Sequence, residues 1–273
     1  MRLDALVAAR TGASRARAQA LILEGRVHVD GAAGLKAGQL VAESADVLIS
    51  DAFAYVSRGA LKLEKALAEF SWSPAGARCL DVGASTGGFT DCLLARGAEH
   101  VTAVDVGYGQ LAWRLRQDPR VRVVERCNFR HAALESIGAP FAFATADVSF
   151  ISLTKLAAKF ADALDAGAKL IVLVKPQFEA GRAAVGRGGV VREPRAQAAT
   201  IQSVIEAYEA SGFTATRLTY APHKGPAGNI EFLLGLERAN FDAARPPVAP
   251  TSSFARAQHV TDVVRAAHEG LDR

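Results

Sequence analysis

A doubly wound α/β domain behind a small α+β unit is the fold this chain predicts. From about residue 78 onward, short apolar runs alternate with stretches at helical spacing, which is the pattern of parallel strands covered by helices. Leu80-Asp81-Val82 runs directly into the Gly-rich turn Gly83-Ala84-Ser85-Thr86-Gly87-Gly88, and a helix follows near Phe89. Strand, glycine turn and helix form the usual entry point for a nucleotide cofactor in a Rossmann-like sheet. The stretch before Ile49 is patterned differently and predicts a separate unit.

In that first stretch Leu3, Leu6 and Val7 predict a short helix. Ser14 caps a second helix carrying Ala18, Leu21, Ile22 and Leu23, with Gly25 as its stop. Val27, Val29 and the Asp30-Gly31 turn predict the start of a hairpin, and Asp46-Val47-Leu48-Ile49 another short strand. Arg2, Arg15, Arg17 and Arg26 lie along the helices and their exits. They have two readings: a solvated helix face, the commoner one, or an RNA-contacting surface.

The second unit opens with a helix carrying Leu63, Ala66, Leu67 and Phe70 at helical spacing. Strands are expected near 78–83, 100–105, 121–125, 141–147 and 168–174, and helices near 89–96, 109–116, 131–136 and 153–165. Pro194 is well placed at a helix start, and Ile201, Val204, Ile205 and Tyr208 give that helix its apolar face. Two late strands near 213–220 and 230–236 have no helix between them, so the last is expected antiparallel in a mostly parallel sheet. The expected division is a first domain over 1–50, a linker over 51–58, a cofactor domain over 59–242 and a peripheral tail over 243–273. The tail holds Pro246, Pro247 and Pro250, then a helix over about 254–267.

The glycine turn favours one cofactor. A dinucleotide fingerprint has a central glycine that Gly83-Ala84-Ser85-Thr86-Gly87-Gly88 lacks. Asp81 before the turn repels a pyrophosphate but attracts the ammonium of S-adenosylmethionine, which carries no phosphate. Asp105 ends the apolar run Val101-Thr102-Ala103-Val104, where an acid reads a ribose diol. Asn128, after the third strand, suits an adenine edge or is an ordinary loop residue. Asp81, Gly83, Ala84, Ser85, Gly87, Gly88, Phe89, Asp105, Val106, Asn128 and Asp147 are the expected cofactor contacts.

Two more charges stand at strand ends: Asp147 after Phe143-Ala144-Thr145-Ala146, and Lys175 after Leu170-Ile171-Val172-Leu173-Val174. Desolvation there lowers a lysine pKa. Glu231 lies inside the last expected strand and needs a partner, since a lone buried charge is costly. Lys62 lies on the helix that opens the domain. Ordinary salt bridges are the alternative reading of these four. Between 179 and 193 the chain is rich in Gly and Arg, including Arg182 and Arg187. That segment reads either as a substrate loop touching phosphates or as a flexible connector.

Two resemblances sharpen this. Arg2-Leu3-Asp4, the run from Ser14 to Ala20, and Gly25-Arg26-Val27-His28-Val29-Asp30-Gly31 resemble the S4-type RNA-binding domain. That resemblance implies recognition of folded RNA through shape and backbone. Ser57-Arg58-Gly59-Ala60-Leu61-Lys62-Leu63, the 81–88 turn, Asp147-Val148-Ser149-Phe150-Ile151-Ser152, Lys175-Pro176-Gln177-Phe178-Glu179 and Asn229-Ile230-Glu231 resemble FtsJ-type ribose methyltransferases. Together the two parts resemble the TlyA family of ribosomal RNA methyltransferases, also called hemolysin A, over about residues 1–240. The resemblance implies a catalytic Lys-Asp-Lys-Glu tetrad at Lys62, Asp147, Lys175 and Glu231, and S-adenosylmethionine as methyl donor. It implies attack by a ribose 2′-hydroxyl, of cytidine in 16S or 23S RNA, with Lys175 as base or orienting group. Arg2, Arg15, Arg17, Arg26, Arg58, Arg182 and Arg187 are the expected RNA contacts. Leu61 replaces a common aromatic of the FtsJ pattern, and Asn128 replaces an acid.

Several classes are disfavoured. No apolar run approaches the roughly 18 residues that span a bilayer, and Met1-Arg2-Leu3-Asp4 opens no signal sequence. A cytoplasmic protein is expected. Cys79, Cys92 and Cys127 have no metal-ligand spacing and predict buried reduced thiols, with no metal. The net charge of +4 permits an anionic partner without demanding one. Asp147-Val148-Ser149-Phe150 lacks the prolines of base-amine methyltransferases and the cysteine that ring-carbon methylation needs. The remaining alternatives are a non-catalytic RNA-binding or assembly protein and a membrane-lytic protein. Oligomeric state stays open, with a monomer favoured.

Overall fold

The computed structural model describes residues 1–23, 26–31, 35–49, 55–181, 184–240 and 257–271. The chain separates into two compact units, Met1–Arg58 and Gly59–Arg273.

The first unit contains α1 (Leu3–Thr11), α2 (Arg15–Leu23), β1 (Val27–Val29) and β2 (Val47–Ile49). Gly12, at φ 69°, ends α1 in the left-handed conformation that glycine tolerates best. The Ser14 hydroxyl accepts from Arg17 N at 3.2 Å and so caps α2. The expected stop at Gly25 lies outside the described residues. β1 and β2 pair antiparallel with Val27 opposite Ile49. The pair is a long-range one, not a tight hairpin at Asp30-Gly31. Asp30 N donates to Asp46 O, and Asp30 Oδ1 accepts from Asp46 N, both at 2.9 Å. Leu3, Val7, Ala18, Leu21, Ile22, Val27, Val29 and Ala45 form the small core.

The second unit runs α3 (Gly59–Phe70), β3 (Arg78–Val82), α4 (Gly88–Ala95), β4 (His100–Val104), α5 (Trp113–Arg116) and β5 (Val121–Val124). It continues through α6 (Leu134–Ile137), β6 (Phe141–Ala146), α7 (Ala157–Ala163), β7 (Leu164–Val174) and α8 (Pro176–Glu179). It ends with α9 (Pro194–Ala210), β8 (Phe213–Tyr220), β9 (Phe232–Arg238) and α10 (Ala257–Leu271). Among the described residues the sheet has seven strands in the order β5-β4-β3-β6-β7-β9-β8. The first five are parallel, and β9 runs antiparallel to both β7 and β8. Strand order reverses between β3 and β6, which opens a crevice at their carboxyl ends.

Several elements differ from the sequence expectation. The helix expected over 109–116 shrinks to α5, because Gly109 sits at φ 73° and breaks its first turn. The region 131–136 is a 3₁₀ turn over Phe129–His131 followed by α6. A 3₁₀ turn over Leu153–Leu156 precedes α7, and extended chain begins already at Leu164. A register shift in the β6–β7 ladder, between Phe141 and Phe143, accommodates that early start. The last strand begins at Phe232, so Glu231 stands just outside it; only its carbonyl joins the ladder, accepting from Ala221 N at 2.8 Å. The tail is not peripheral: α10 buries Val260, Val264 and Ala267 in the main core with Ile201, Val204 and Tyr208 of α9. The prolines at 246, 247 and 250 lie outside the described residues.

Candidate active site

The reversal point of the sheet holds a cavity of about 770 Å³. Its lining includes Gly83 and Ser85 of the turn, Asp105, Val106 and Gln110 after β4, and Asn128, Phe129 and Arg130 after β5. Asp147, Ser149, Phe150 and Phe178 complete the side nearest β6 and β7.

The turn is shaped by close approach. Gly83 has φ +83°, and a Cβ there would lie 2.4 Å from the Asp147 carbonyl oxygen. Only glycine lets the two strand ends meet this closely. Gly87, at φ +97°, would put a Cβ 2.2 Å from Leu115 Cδ1, so it admits the α5 side chain instead. Ser85 N donates to Asp105 Oδ2 at 2.8 Å, and Gly107 N donates to Asp105 Oδ1 at 2.6 Å. These two bonds hold the Asp105 carboxylate at the cavity wall. They also commit the Ser85 N–H, which a pyrophosphate would need. Asp105 and Asp147 both line the cavity, an environment that suits a cofactor with a ribose diol and an ammonium better than a diphosphate.

Asp81 does not meet the sequence expectation of a direct contact. Its side chain is fully buried, accepts from Thr90 Oγ1 at 2.7 Å and Thr145 Oγ1 at 2.9 Å, and is absent from the cavity lining. Burial pushes its pKa up to about 6, against the pull of the two threonine hydroxyls. Ala84, Gly87, Gly88 and Phe89 are also buried behind the turn, outside the lining. Val106 is exposed at the cavity edge. Asn128 lines the cavity while its Oδ1 accepts from Arg130 N at 3.1 Å.

The four tetrad positions form two ion pairs. Lys62 Nζ is 2.6 Å from Glu231 Oε2, and Lys175 Nζ is 2.6 Å from Asp147 Oδ1. Lys175 Nζ also donates to Ser149 Oγ at 2.9 Å. The strand registers bring the pairs to one place. Val174 faces Phe232 across β7 and β9, and Lys175 and Glu231 are the residues that flank that last pair. Asp147 N donates to Val82 O at 3.0 Å, which ties the other acid to the glycine turn. Lys62 lies on α3, which contacts β9.

Sequence reasoning did not single out Ser149, Phe150, Phe178 or Glu179 as individual positions. Glu179 accepts from Ser152 Oγ at 2.6 Å and Leu153 N at 2.9 Å, so it pins the loop after Asp147; burial raises its pKa. Phe150, 92 % exposed at φ 65°, lies with its ring 5.2 Å from that of Phe178. The available signal was their place in the runs Asp147-Val148-Ser149-Phe150-Ile151-Ser152 and Lys175-Pro176-Gln177-Phe178-Glu179. Cys79 and Cys92 are buried, and burial moves Cys79 up to about 12. Cys127 departs from expectation, since it is half-buried and lines the cavity.

In the first unit, buried Asp4 gathers three donors. Arg2 bonds it at 2.9 and 3.1 Å, Gln19 Nε2 at 2.8 Å and Arg15 at 3.2 Å. These donors, Arg2 foremost, hold the Asp4 carboxyl well below the usual range. Arg2 and Arg15 keep about half of their side-chain surface in solvent, at 48 % and 57 %. Arg17 and Arg58 are exposed and Arg26 is half-buried. Arg182 and the Arg187 side chain lie outside the described residues.

A family model described as FtsJ-like methyltransferase matches residues 55–238, and an S4 domain model matches residues 1–47. Over 231 residues the chain is 46 % identical to the 16S/23S rRNA (cytidine-2′-O)-methyltransferase TlyA of Mycobacterium tuberculosis, spanning 83 % of this chain and 86 % of that protein. The chain belongs to the TlyA family of FtsJ-like methyltransferases. Within the TlyA family, Hemolysin A of Brachyspira hyodysenteriae is 40 % identical over 221 residues, 81 % of this chain and 92 % of that protein. A solved Streptococcus thermophilus structure carrying a hemolysin name superposes with a TM-score of 0.77 at 38 % identity, covering 99 % of this chain and 96 % of that one. The TlyA-family sheet also matches the fold of an S-adenosylmethionine-dependent methyltransferase structure from Listeria monocytogenes, with a TM-score of 0.51 at 15 % identity over 67 % of this chain.

Proposed function

We propose that this protein methylates the 2′-hydroxyl of a cytidine ribose in ribosomal RNA, with S-adenosylmethionine as donor. The observation that carries the reading is the convergence of Lys175, Asp147, Lys62 and Glu231 at the carboxyl edge of the sheet, beside a cavity whose wall carries Asp105. S-adenosylmethionine supplies an electrophilic methyl carbon on a sulfonium. Asp105 holds the cofactor's ribose hydroxyls, and the Gly83 turn brings backbone close to its methionine end. Asn128, which lines the same cavity, would hold the adenine edge. Asp81 supports the turn from beneath through Thr90 and Thr145.

The acceptor hydroxyl has to be aimed at the methyl carbon and has to lose its proton. Lys175 Nζ, fixed by Asp147 and Ser149, serves as the base for that hydroxyl or as the group that orients it. Lys62 sets a second positive charge nearby, and Glu231 balances it. Orientation supplies much of the rate in a displacement of this kind. Arg2, Arg15, Arg17, Arg26, Arg58, Arg182 and Arg187 serve RNA binding, the first two arrayed on Asp4. The work is done on ribosomal subunits, in the cytoplasm. No helix among the described residues is long and apolar enough to cross a membrane, which gives the lytic alternative no helical support. Mass mapping of ribose methylation in ribosomal RNA, with and without the protein, is the test. A ribose-methylated cytidine that depends on the protein supports the reading, and an unchanged map overturns it.

A further inference from the structure

A second cavity, of about 400 Å³, is bounded by the loops before α9 and before β9 and by α10. Arg192, Lys224 and His268 line it, and none of its described lining residues is a carboxylate. Its wall also includes Ile230, the chain neighbour of Glu231.

Buried hydrogen bonds fix this recess. Gln197, 1 % exposed, donates from Nε2 to Val191 O at 2.8 Å. A carbonyl only accepts, so the amide orientation is set and Oε1 faces His268 Nε2 at 3.0 Å. Nε2 is therefore the donor in that bond. Asn229, also 1 % exposed, accepts from Val191 N and donates to Gly189 O, both at 2.9 Å. Its carbonyl accepts from Gly225 N at 2.9 Å, and a Cβ on Gly225 would lie 2.5 Å from Glu231 Oε1. The cationic recess, the end of the Gly- and Arg-rich loop and the Glu231 carboxylate are thus tied into one rigid assembly.

We propose that Arg192, Lys224 and His268 form a subsite for a phosphodiester of the substrate RNA, flanking the nucleotide to be methylated. This rests on the ribose-methylating function proposed above. A recess walled by three basic side chains attracts an anion, and RNA presents one phosphate per nucleotide. The same assembly lets a bound phosphate register the strand against Glu231 and its partner Lys62. It also gives α10 a role, since His268 is its contribution.

The test is the double variant Arg192→Ala with Lys224→Ala in the full-length protein, beside His268→Gln and a Lys224→Arg control. The double variant should raise KM for RNA about tenfold and lower the slope of log affinity against log salt by about 1 or more. Calorimetric binding of S-adenosylmethionine should not change, and Lys224→Arg should keep the wild-type slope. A double variant with wild-type KM and salt slope overturns the subsite while wild-type activity stands. If the wild type neither binds nor methylates RNA, the functional reading itself falls and the subsite falls with it.

Discussion

Glu231 and Lys175 stand just beyond the last β7–β9 pair, Val174 with Phe232, yet Glu231 gives its carboxylate to Lys62, 169 residues away in the chain and 2.6 Å away in space. Both side chains are nearly enclosed, at 10 % and 2 % exposure. Breaking a buried pair leaves one charge uncompensated, at a cost of about 3–5 kcal/mol. Glu231→Ala should therefore lower the melting temperature sharply and abolish methyl transfer. Combining it with Lys62→Met should recover most of the stability and none of the activity. Recovery of activity in the double variant would show that the pair is structural only.

Lys175 has two anchors, Asp147 and Ser149. Lys175→Ala should cost at least about a hundredfold in turnover, the scale of a positioned acid–base group. S-adenosylmethionine binding, read by calorimetry, should survive. Ser149→Ala removes an orienting bond and leaves the ion pair, so its loss should be smaller and fall on kcat more than on KM. Full activity in Lys175→Ala would sink this assignment.

Much of this site was legible in the sequence, for a physical reason. Strand ends point toward the ligand face of a parallel sheet, so apolar runs terminating at Asp105, Asp147 and Lys175 announced their own positions. Lys62 and Glu231 were legible as charges, and the resemblance implied that Glu231 balances Lys62; the direct contact was not legible, because it depends on how α3 lies against β9. Asp81 misled: its place at the end of β3 was clear, but the hydroxyls of Thr90 and Thr145, which satisfy it behind the turn, come from two other elements. The helix of the tail was visible as a pattern. Its burial against α9 was not, since an apolar face does not name what covers it.

Gly83 and Gly76 both have positive φ, but only Gly83 is crowded. Gly83→Ala should pay the backbone strain of about 1–3 kcal/mol and also push Asp147 away from its place. Gly76→Ala meets nothing within 4 Å and pays the backbone term alone. Both should lose stability, and only Gly83→Ala should lose cofactor binding and turnover. Equal activity in the two variants would remove the argument that close approach shapes the site.

Asp81 titrates in the folded protein near pH 6, against 3.8 for the free side chain. Between those values the folded state holds a proton that the unfolded state has released. Stability from this group is therefore fully present below about pH 4 and lost as pH rises through 6, a change of about 3 kcal/mol. Asp81→Asn keeps a side chain that the two threonines can bond and removes the titration. Relative to wild type it should gain stability from pH 4 to pH 7, measured by denaturant unfolding across that range. A pH-independent difference would mean that the carboxylate is not desolvated as described.

Phe150 holds an exposed ring at the cavity mouth on a backbone at φ 65°, with Phe178 beside it. Nothing in the core gains from that placement, so Phe150→Ala should change stability by no more than about 0.5 kcal/mol. A ring in this position offers a stacking face to a base of the bound RNA, an interaction of about 1–3 kcal/mol per base. Phe150→Ala should thus raise KM for RNA about tenfold or more, with S-adenosylmethionine affinity unchanged. Phe150→Trp should restore the wild-type KM, because stacking needs a flat aromatic face and not the phenyl ring itself. Phe150→Leu should not, although it keeps apolar bulk. Equal KM values for the Leu and Trp variants would assign the site to apolar shielding of the cavity instead of base stacking.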